Sequence, residues 1–315
     1  MRDEHIALVG AGLIGRSWAV VFARAGLEVT LHDTDPDVLA RAPSEIGARL
    51  TDLVQGGLLD SADAKAAAAR IHTAQDLRAA VGGATYIQES VLEDRDVKVT
   101  ALGAIERAAA PAATIASSTS ALLPSELFGG LTRPERCLVV HPVNPPHLIP
   151  YVELVPAPAT APATVERARS LLAAVGQVPV CLTREIPGFL LNRLQVALVN
   201  EAIALVADGV ATVGDVDAAV KWGLGLRWSF MGPFETIDLN APGGIADYLR
   251  RFDDMYRLAA DMKPQAPFPP ELVARLQAQR RALLPFDRLP ERMRWRDARL
   301  TALLGHRRAA DPERS

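Results

Sequence analysis

The sequence predicts an α/β fold, an N-terminal Rossmann-type doubly wound, mainly parallel sheet followed by an all-α C-terminal domain. Three observations carry this expectation. Up to about residue 184, short β-branched or apolar runs alternate with helical patterns, as strands and crossover helices do in a parallel sheet. The first run passes straight into a glycine-rich turn that opens a helix. Beyond residue 184 the strand signal fades, and apolar residues recur at three- and four-residue spacing. The boundary is set at 184/185, giving an α/β domain over 1–184 and a helical domain over 185–315.

The elements follow in order. Strands are expected at "IALVG", "EVTLHD", "ATYIQE", "ATIASS", "RCLVVH", "YVELV" and "VPVCL". Helices are expected over 12–25, 37–55, 94–109 and 164–175, and the Ala-rich "AKAAAAR" reads as a solvated helix. In "IPGFLLNRLQVALVNEAIALVADG", Pro187 and Gly209 supply start and stop signals for the first helix of the second domain.

Composition narrows the function classes. The 315 residues carry a formal net charge of -3, with both signs spread along the chain. That gives no field to gather nucleic acid or an anionic membrane. No window approaches 18 uncharged apolar residues and no signal sequence is evident, so a cytoplasmic protein is expected. Cys137 and Cys181 lie in apolar runs and read as reduced core residues, and no metal-ligand spacing occurs.

The chemistry starts at Gly10-Ala11-Gly12-Leu13-Ile14-Gly15. Gly10 suits the tight turn, Gly12 lets backbone approach a pyrophosphate, and Gly15 allows close helix packing. Asp33 ends the second strand at the offset expected of a ribose-binding carboxylate. A carboxylate there would repel a 2'-phosphate, which points to NAD rather than NADP. His141 comes at the carboxyl end of a strand, the edge where ligands bind in open parallel sheets. Glu153 sits among apolar neighbours and is costly there unless paired, and His141 is an economical partner. The alternative is a Glu153 solvated on an edge strand.

The stretches "GAGLIGRSWA", "SSTSALLPSELF", "HPVNPPHLIPYVELVP", "GFLLNRLQ" and "GLGLRWSFMGPFETIDLN" resemble the L-3-hydroxyacyl-CoA dehydrogenase superfamily, in particular its lambda-crystallin or L-gulonate 3-dehydrogenase branch. The resemblance implies a homodimer formed through the helical domain, His141 as general base with Glu153 as its partner, and Ser120 and Asn192 bonded to the substrate oxygen. It also places Glu93 and Lys98 beside the nicotinamide or along the substrate channel. On the residues alone, Ser120 could be a turn residue, Asn192 a surface residue, and Glu93 with Lys98 a solvated face.

The substrate expected is a small free 3-hydroxy acid such as L-gulonate. Residues 36–70 hold Arg41, Arg49, Lys65 and Arg70 against five acidic residues, with no basic cluster for the phosphates of coenzyme A. A free carboxylate needs one planar two-bond partner, and Arg227 is the candidate, its alternative being an arginine at a helix end. A 3-hydroxyacyl-CoA dehydrogenase, an L-carnitine dehydrogenase and an NAD-binding structural crystallin remain as alternatives.

Overall fold

A computed structural model describes residues 4–242, 244–254 and 285–310, with 271, 278 and 282 described singly. The rest of the expected helical domain lies outside the described residues. By contacts the chain divides into two compact units, Met1–Leu191 with Met293–Ser315, and Asn192–Arg292.

The first unit is built on an eight-stranded sheet of β1 (His5–Val9), β2 (Glu28–His32), β3 (Ile71–Thr73), β4 (Tyr86–Glu89), β5 (Thr114–Ser117), β6 (Cys137–Pro142), β7 (Tyr151–Pro156) and β8 (Val178–Cys181), in spatial order 3-2-1-4-5-6-7-8. Every neighbouring pair is parallel except β6 and β7, which run antiparallel. The helices are α1 (Leu13–Arg24), α2 (Pro36–Gln55), α3 (Ser61–Ala69), α4 (Leu77–Val81), α5 (Arg95–Ala108), α6 (Pro124–Phe128) and α7 (Pro162–Ala174). All seven expected strands form. The three residues of β3 are too few to show a period, and α4 and α6 are five-residue helices that periodicity cannot register.

Strand alternation divides the core into two layers. Ile6 and Leu8 face the cluster that contains Trp18 and Phe22 of α1, whereas Ala7 and Val9 face the cluster that contains Leu102 and Ile105 of α5. Side-chain caps fix where helices begin: the Asp35 carboxylate accepts the amides of Asp37 and Val38, and that of Asp94 accepts those of Asp96 and Val97. Cys137 is buried as expected, but Cys181 is exposed, correcting the reading of both as core residues. The cause is topological: β8 is the outermost strand, so its last residue has no neighbour beyond it.

The second unit carries α8 (Leu191–Ala207, whose first residue belongs to the first unit), α9 (Val213–Ala218), a π-helical stretch over Ala219–Leu224, α10 (Gly225–Trp228), α11 (Pro233–Asp238) and α12 (Gly244–Arg251). Thr212 and Asp215 form a reciprocal capping box at α9, and Gly209 turns out of α8 at φ 72°. Among the described residues no helix is long and apolar enough to cross a membrane.

The last helix, α13 (Leu289–Ala310), returns to the first unit from Met293 onward, where Leu300 and Leu304 pack against the α1–α2 core. The approach is close at Gly56, where an added Cβ would stand 2.0 Å from Thr301 Cγ2. Gly56→Ala should therefore lower thermal stability by an overpacking cost of about 1–3 kcal/mol, and Thr301→Ser, which lacks that methyl, should restore part of it when combined. Equal melting temperatures for Gly56→Ala and the parent chain would contradict this packing.

Candidate active site

The glycine turn lies between β1 and α1. Gly10 has φ 101°, in the left-handed region, and a Cβ on it would fall 2.5 Å from the Ser90 carbonyl oxygen. The need at Gly15 is closer still than strand packing, because its missing Cβ makes room for the Gly10 carbonyl oxygen, which would lie at 1.8 Å. Gly12 is the N-cap of α1 and has no atom within 4 Å of a built Cβ, so backbone is open to a ligand there. No side chain caps α1, which leaves the positive end of the helix for an anion. Leu13 is exposed beside it, while Ile14 packs on the core. Asp33 is held in place by the amides of Ala11 (2.7 Å, to Oδ2) and Asp35 (2.9 Å, to Oδ1). Uncapped helix, open glycine and oriented carboxylate together fit a dinucleotide.

Three and four strands along from β1, the antiparallel pairing of β6 and β7 sets His141 directly opposite Glu153. Glu153 Oε2 accepts His141 Nδ1–H at 2.7 Å, and because a carboxylate only accepts, Nε2 is the nitrogen left with the lone pair. Glu153 is fully buried. Burial pushes its carboxyl upward, but the hydrogen bond from His141 and the amides of Leu191 and Leu190 outweigh that and hold it below the usual carboxylate range. Those amides stand at 2.8 and 2.9 Å from Oε1, at the entrance of α8.

The segment before α8 is shaped to present them. Gly188 and Phe189 have φ of 76° and 49°, and a non-glycine residue held there costs about 1–3 kcal/mol. Phe189 is nonetheless fully buried, with its ring centroid 5.4 Å from that of His141. This turn is why the helix starts at Leu191 rather than directly after Pro187.

A second buried carboxylate organises the tips of β4 and β5. Lys98 of α5, 1 % exposed, donates to Glu89 Oε1 at 2.8 Å and to the Val91 carbonyl at 3.1 Å, and lies 3.3 Å from Glu93 Oε2. Burial pushes the Glu89 carboxyl up, only partly offset by Lys98, Ser117 and the Val91 amide. Glu93 in turn accepts from Thr119 Oγ1 (2.5 Å) and the amides of Ser120 (2.8 Å) and Ala121 (3.3 Å), so it clamps the turn that carries Ser120. For Glu93 too burial raises the carboxyl, and those bonds with Lys98 bring it below its ordinary range.

Of the residues singled out from sequence, the structure brings together His141 with Glu153, and Glu93 with Lys98 and the Ser120 turn. Ser120 itself is exposed. Asn192, half-buried, is the next residue after Leu191 and begins the second unit. Arg227, also half-buried, occupies the last turn of α10, a position where an arginine also offsets a helix's negative end. Residues that sequence reasoning passed over are Glu89 and Ser117, which bond each other, and the buried group of Trp18, Gln88 and Ser118, in which Ser118 Oγ accepts from Trp18 Nε1 (3.2 Å) and Gln88 Nε2 (2.7 Å). A glutamine and a glutamate ending the apolar strand "YIQE" were the available signal. Among the described residues no group of three His, Cys, Asp or Glu could hold a metal ion.

Lys98→Met would leave Glu89 buried without its cation, costing about 3–5 kcal/mol at neutral pH. A carboxyl with a raised folded-state value takes up protons on folding, so the deficit should grow as pH rises above the ordinary glutamate range and shrink below it. Thermal melts from pH 4 to 8 check this, with Lys98→Met/Glu89→Gln recovering stability at the alkaline end.

Comparison with known proteins places the chain in a family. Residues 5–186 match the family model described as 3-hydroxyacyl-CoA dehydrogenase, NAD binding domain, and residues 188–282 match the 3-hydroxyacyl-CoA dehydrogenase C-terminal domain. The chain is 42% identical to the lambda-crystallin homolog of Bos taurus over 301 residues, 95% of this chain and 94% of that protein. It is 39% identical to an L-carnitine dehydrogenase of Burkholderia mallei over 250 residues, 79% and 77% of the two chains. Among solved structures, an NAD+-dependent 5-formyl-3-hydroxy-2-methylpyridine 4-carboxylic acid 5-dehydrogenase superposes with a TM-score of 0.80 at 28% identity, covering 98% of each chain. An (S)-3-hydroxybutyryl-CoA dehydrogenase of Ralstonia eutropha gives 0.68 at 26% identity, over 82% of this chain and 89% of its own. With both of its domains matched and relatives along nearly its whole length, the chain belongs to the 3-hydroxyacyl-CoA dehydrogenase family and is an NAD-dependent dehydrogenase acting on CH–OH donors.

Proposed function

We propose that the protein oxidises the 3-hydroxyl of a small free 3-hydroxy acid of the L-gulonate type to the 3-keto acid. The observation that carries the reading is the 2.7 Å pair of His141 and a buried, ionised Glu153 at the carboxyl edge of the sheet that bears the dinucleotide turn. When bound, NAD would supply the acceptor for the hydride that leaves the carbinol carbon. His141 Nε2 takes the hydroxyl proton, and the Glu153 carboxylate balances the imidazolium so formed. Ser120 and Asn192 donate hydrogen bonds to the substrate oxygen, and Arg227 pairs with the carboxylate. Gly10, Gly12, Leu13, Ile14 and Gly15 cradle the pyrophosphate and Asp33 takes the ribose, with Glu93 and Lys98 shaping the nicotinamide end.

Support for a free acid over a thioester comes from the α2–α3 region. Arg49 and Arg70 there are turned to the backbone carbonyls of Glu45 and Ala23, and exposed Arg41 and Lys65 share the segment with exposed Asp37, Asp52, Asp60 and Asp63. A second reading, L-carnitine, rests on Trp222, 62 % exposed, whose ring already attracts one cation, the Lys221 ammonium 4.4 Å from its centroid, as it would attract a quaternary ammonium in that place. A homodimer through the helical domain is supported by exposed Leu194, Val196, Phe230 and Phe234.

NADH formation from L-gulonate, L-carnitine and L-3-hydroxybutyryl-CoA, measured in parallel, separates these readings, and L-gulonate should be preferred. His141→Asn should lose about 10²–10⁴-fold in kcat with NAD affinity kept, and a fully active variant would sink the assignment. Arg227→Met should raise KM for the acid by roughly ten-fold or more, the loss of a charged hydrogen-bonded contact, with little change in kcat. An unchanged KM would return Arg227 to a helix-end role.

A further inference from the structure

Glu153 has more donors than a partner for one imidazole needs. Its Oε2 is taken by His141, and its Oε1 accepts the two amides of Leu190 and Leu191. A third donor reaches Oε1, the Tyr151 hydroxyl at 3.3 Å. Tyr151 lies two residues upstream on β7, hence on the same face of the strand, and is half-buried. Around the carboxylate stand His141 from β6, Tyr151 from β7, the uncharged Val180 paired opposite it on β8, and the amides at the start of α8.

We propose that Tyr151 is a positioning residue that, by donating its hydroxyl hydrogen to Glu153 Oε1, weakens the carboxylate's hold on the proton taken up by His141 and keeps His141 available as a base. The inference rests on His141 being the base, as read above. A carboxylate whose charge is shared among several donors is a poorer acceptor for any one of them, so it supports an imidazolium less strongly. Burial, and then the Glu153 charge, push the Tyr151 phenol far above its ordinary range, so the hydroxyl remains a donor wherever the enzyme works. At 3.3 Å this is the longest of the three bonds to Oε1, and its effect is correspondingly modest.

The test is the pH profile of kcat/KM for Tyr151→Phe, which removes one oxygen and keeps the ring. In the oxidative direction the acid limb should move up by about half a pH unit, a roughly three-fold loss one unit below the parent limb and none on the plateau. In the reductive direction, which needs the protonated base, the alkaline limb should move up by the same amount. Tyr151→Leu should repeat the limb shift, and NADH binding by fluorescence verifies that each variant is folded. Limbs that superimpose on the parent, move downward, or stay fixed while the rate falls at every pH would each overturn the proposal. His141→Asn run alongside keeps two failures apart: an active His141→Asn removes the base itself, whereas an inactive one with unmoved Tyr151→Phe limbs removes only the role of Tyr151.

Discussion

A carboxylate buried away from water keeps its charge only if donors surround it, and the placement of Glu153 follows from that requirement. Its acceptor sites are filled by His141 from the neighbouring strand, Tyr151 from its own strand and two amides from the entrance of α8. Each demand shapes a different level of structure. The cross-strand bond comes from the register in which β7 runs antiparallel to β6, the one reversal in the sheet. The amides need the chain after β8 to turn through a left-handed Gly188 and Phe189, and Phe189 recovers the cost of that conformation by burying its ring against His141.

Glu89 is a second buried carboxylate, at the tips of β4 and β5, whose donors offset burial only in part. Lys98, Ser117 and the Val91 amide supply its donors, and the same lysine steadies Glu93, whose carboxylate closes the turn at Thr119–Ala121. Serines and threonines in "SSTS" that look interchangeable are therefore distinct. Ser117 serves Glu89, Ser118 serves Trp18 and Gln88, and Thr119 serves Glu93. Ser120 is the exposed one. Two charged anchors thus stiffen the carboxyl edge of the sheet, where a dehydrogenase must hold cofactor and substrate still.

Specificity lies with a different set of constraints. On the proposed reading, the glycine turn and Asp33 serve the cofactor, a role that any substrate class could share. In the function proposed above, the choice of an acid over a thioester or a betaine rests on single side chains, Arg227 and Trp222 of the helical unit, and on the scattered charges of α2 and α3. One guanidinium or one exposed indole is a small signal beside a whole sheet, so the chain's family, with its NAD-dependent CH–OH oxidation, reads more plainly than its substrate.

The sequence by itself determined those features whose cause is local. Alternation placed seven strands, three-and-four spacing placed the long helices, and glycines needed for a left-handed turn or a close approach marked the dinucleotide loop. Glu153 was legible because an acid among alternating apolar residues poses a question that only a partner answers. Tertiary structure alone decided what depends on distant neighbours. Nothing in "LEDRDVK" distinguished Lys98 from a solvated lysine until Glu89 was placed against it, and the exposure of Cys181 followed from β8 having no further neighbour. The return of α13 to the first unit, and the need for glycine at position 56 beneath it, likewise came from packing. Periodicity records which face of an element is buried, but not what it is buried against, and charges acquire their roles only from the second fact.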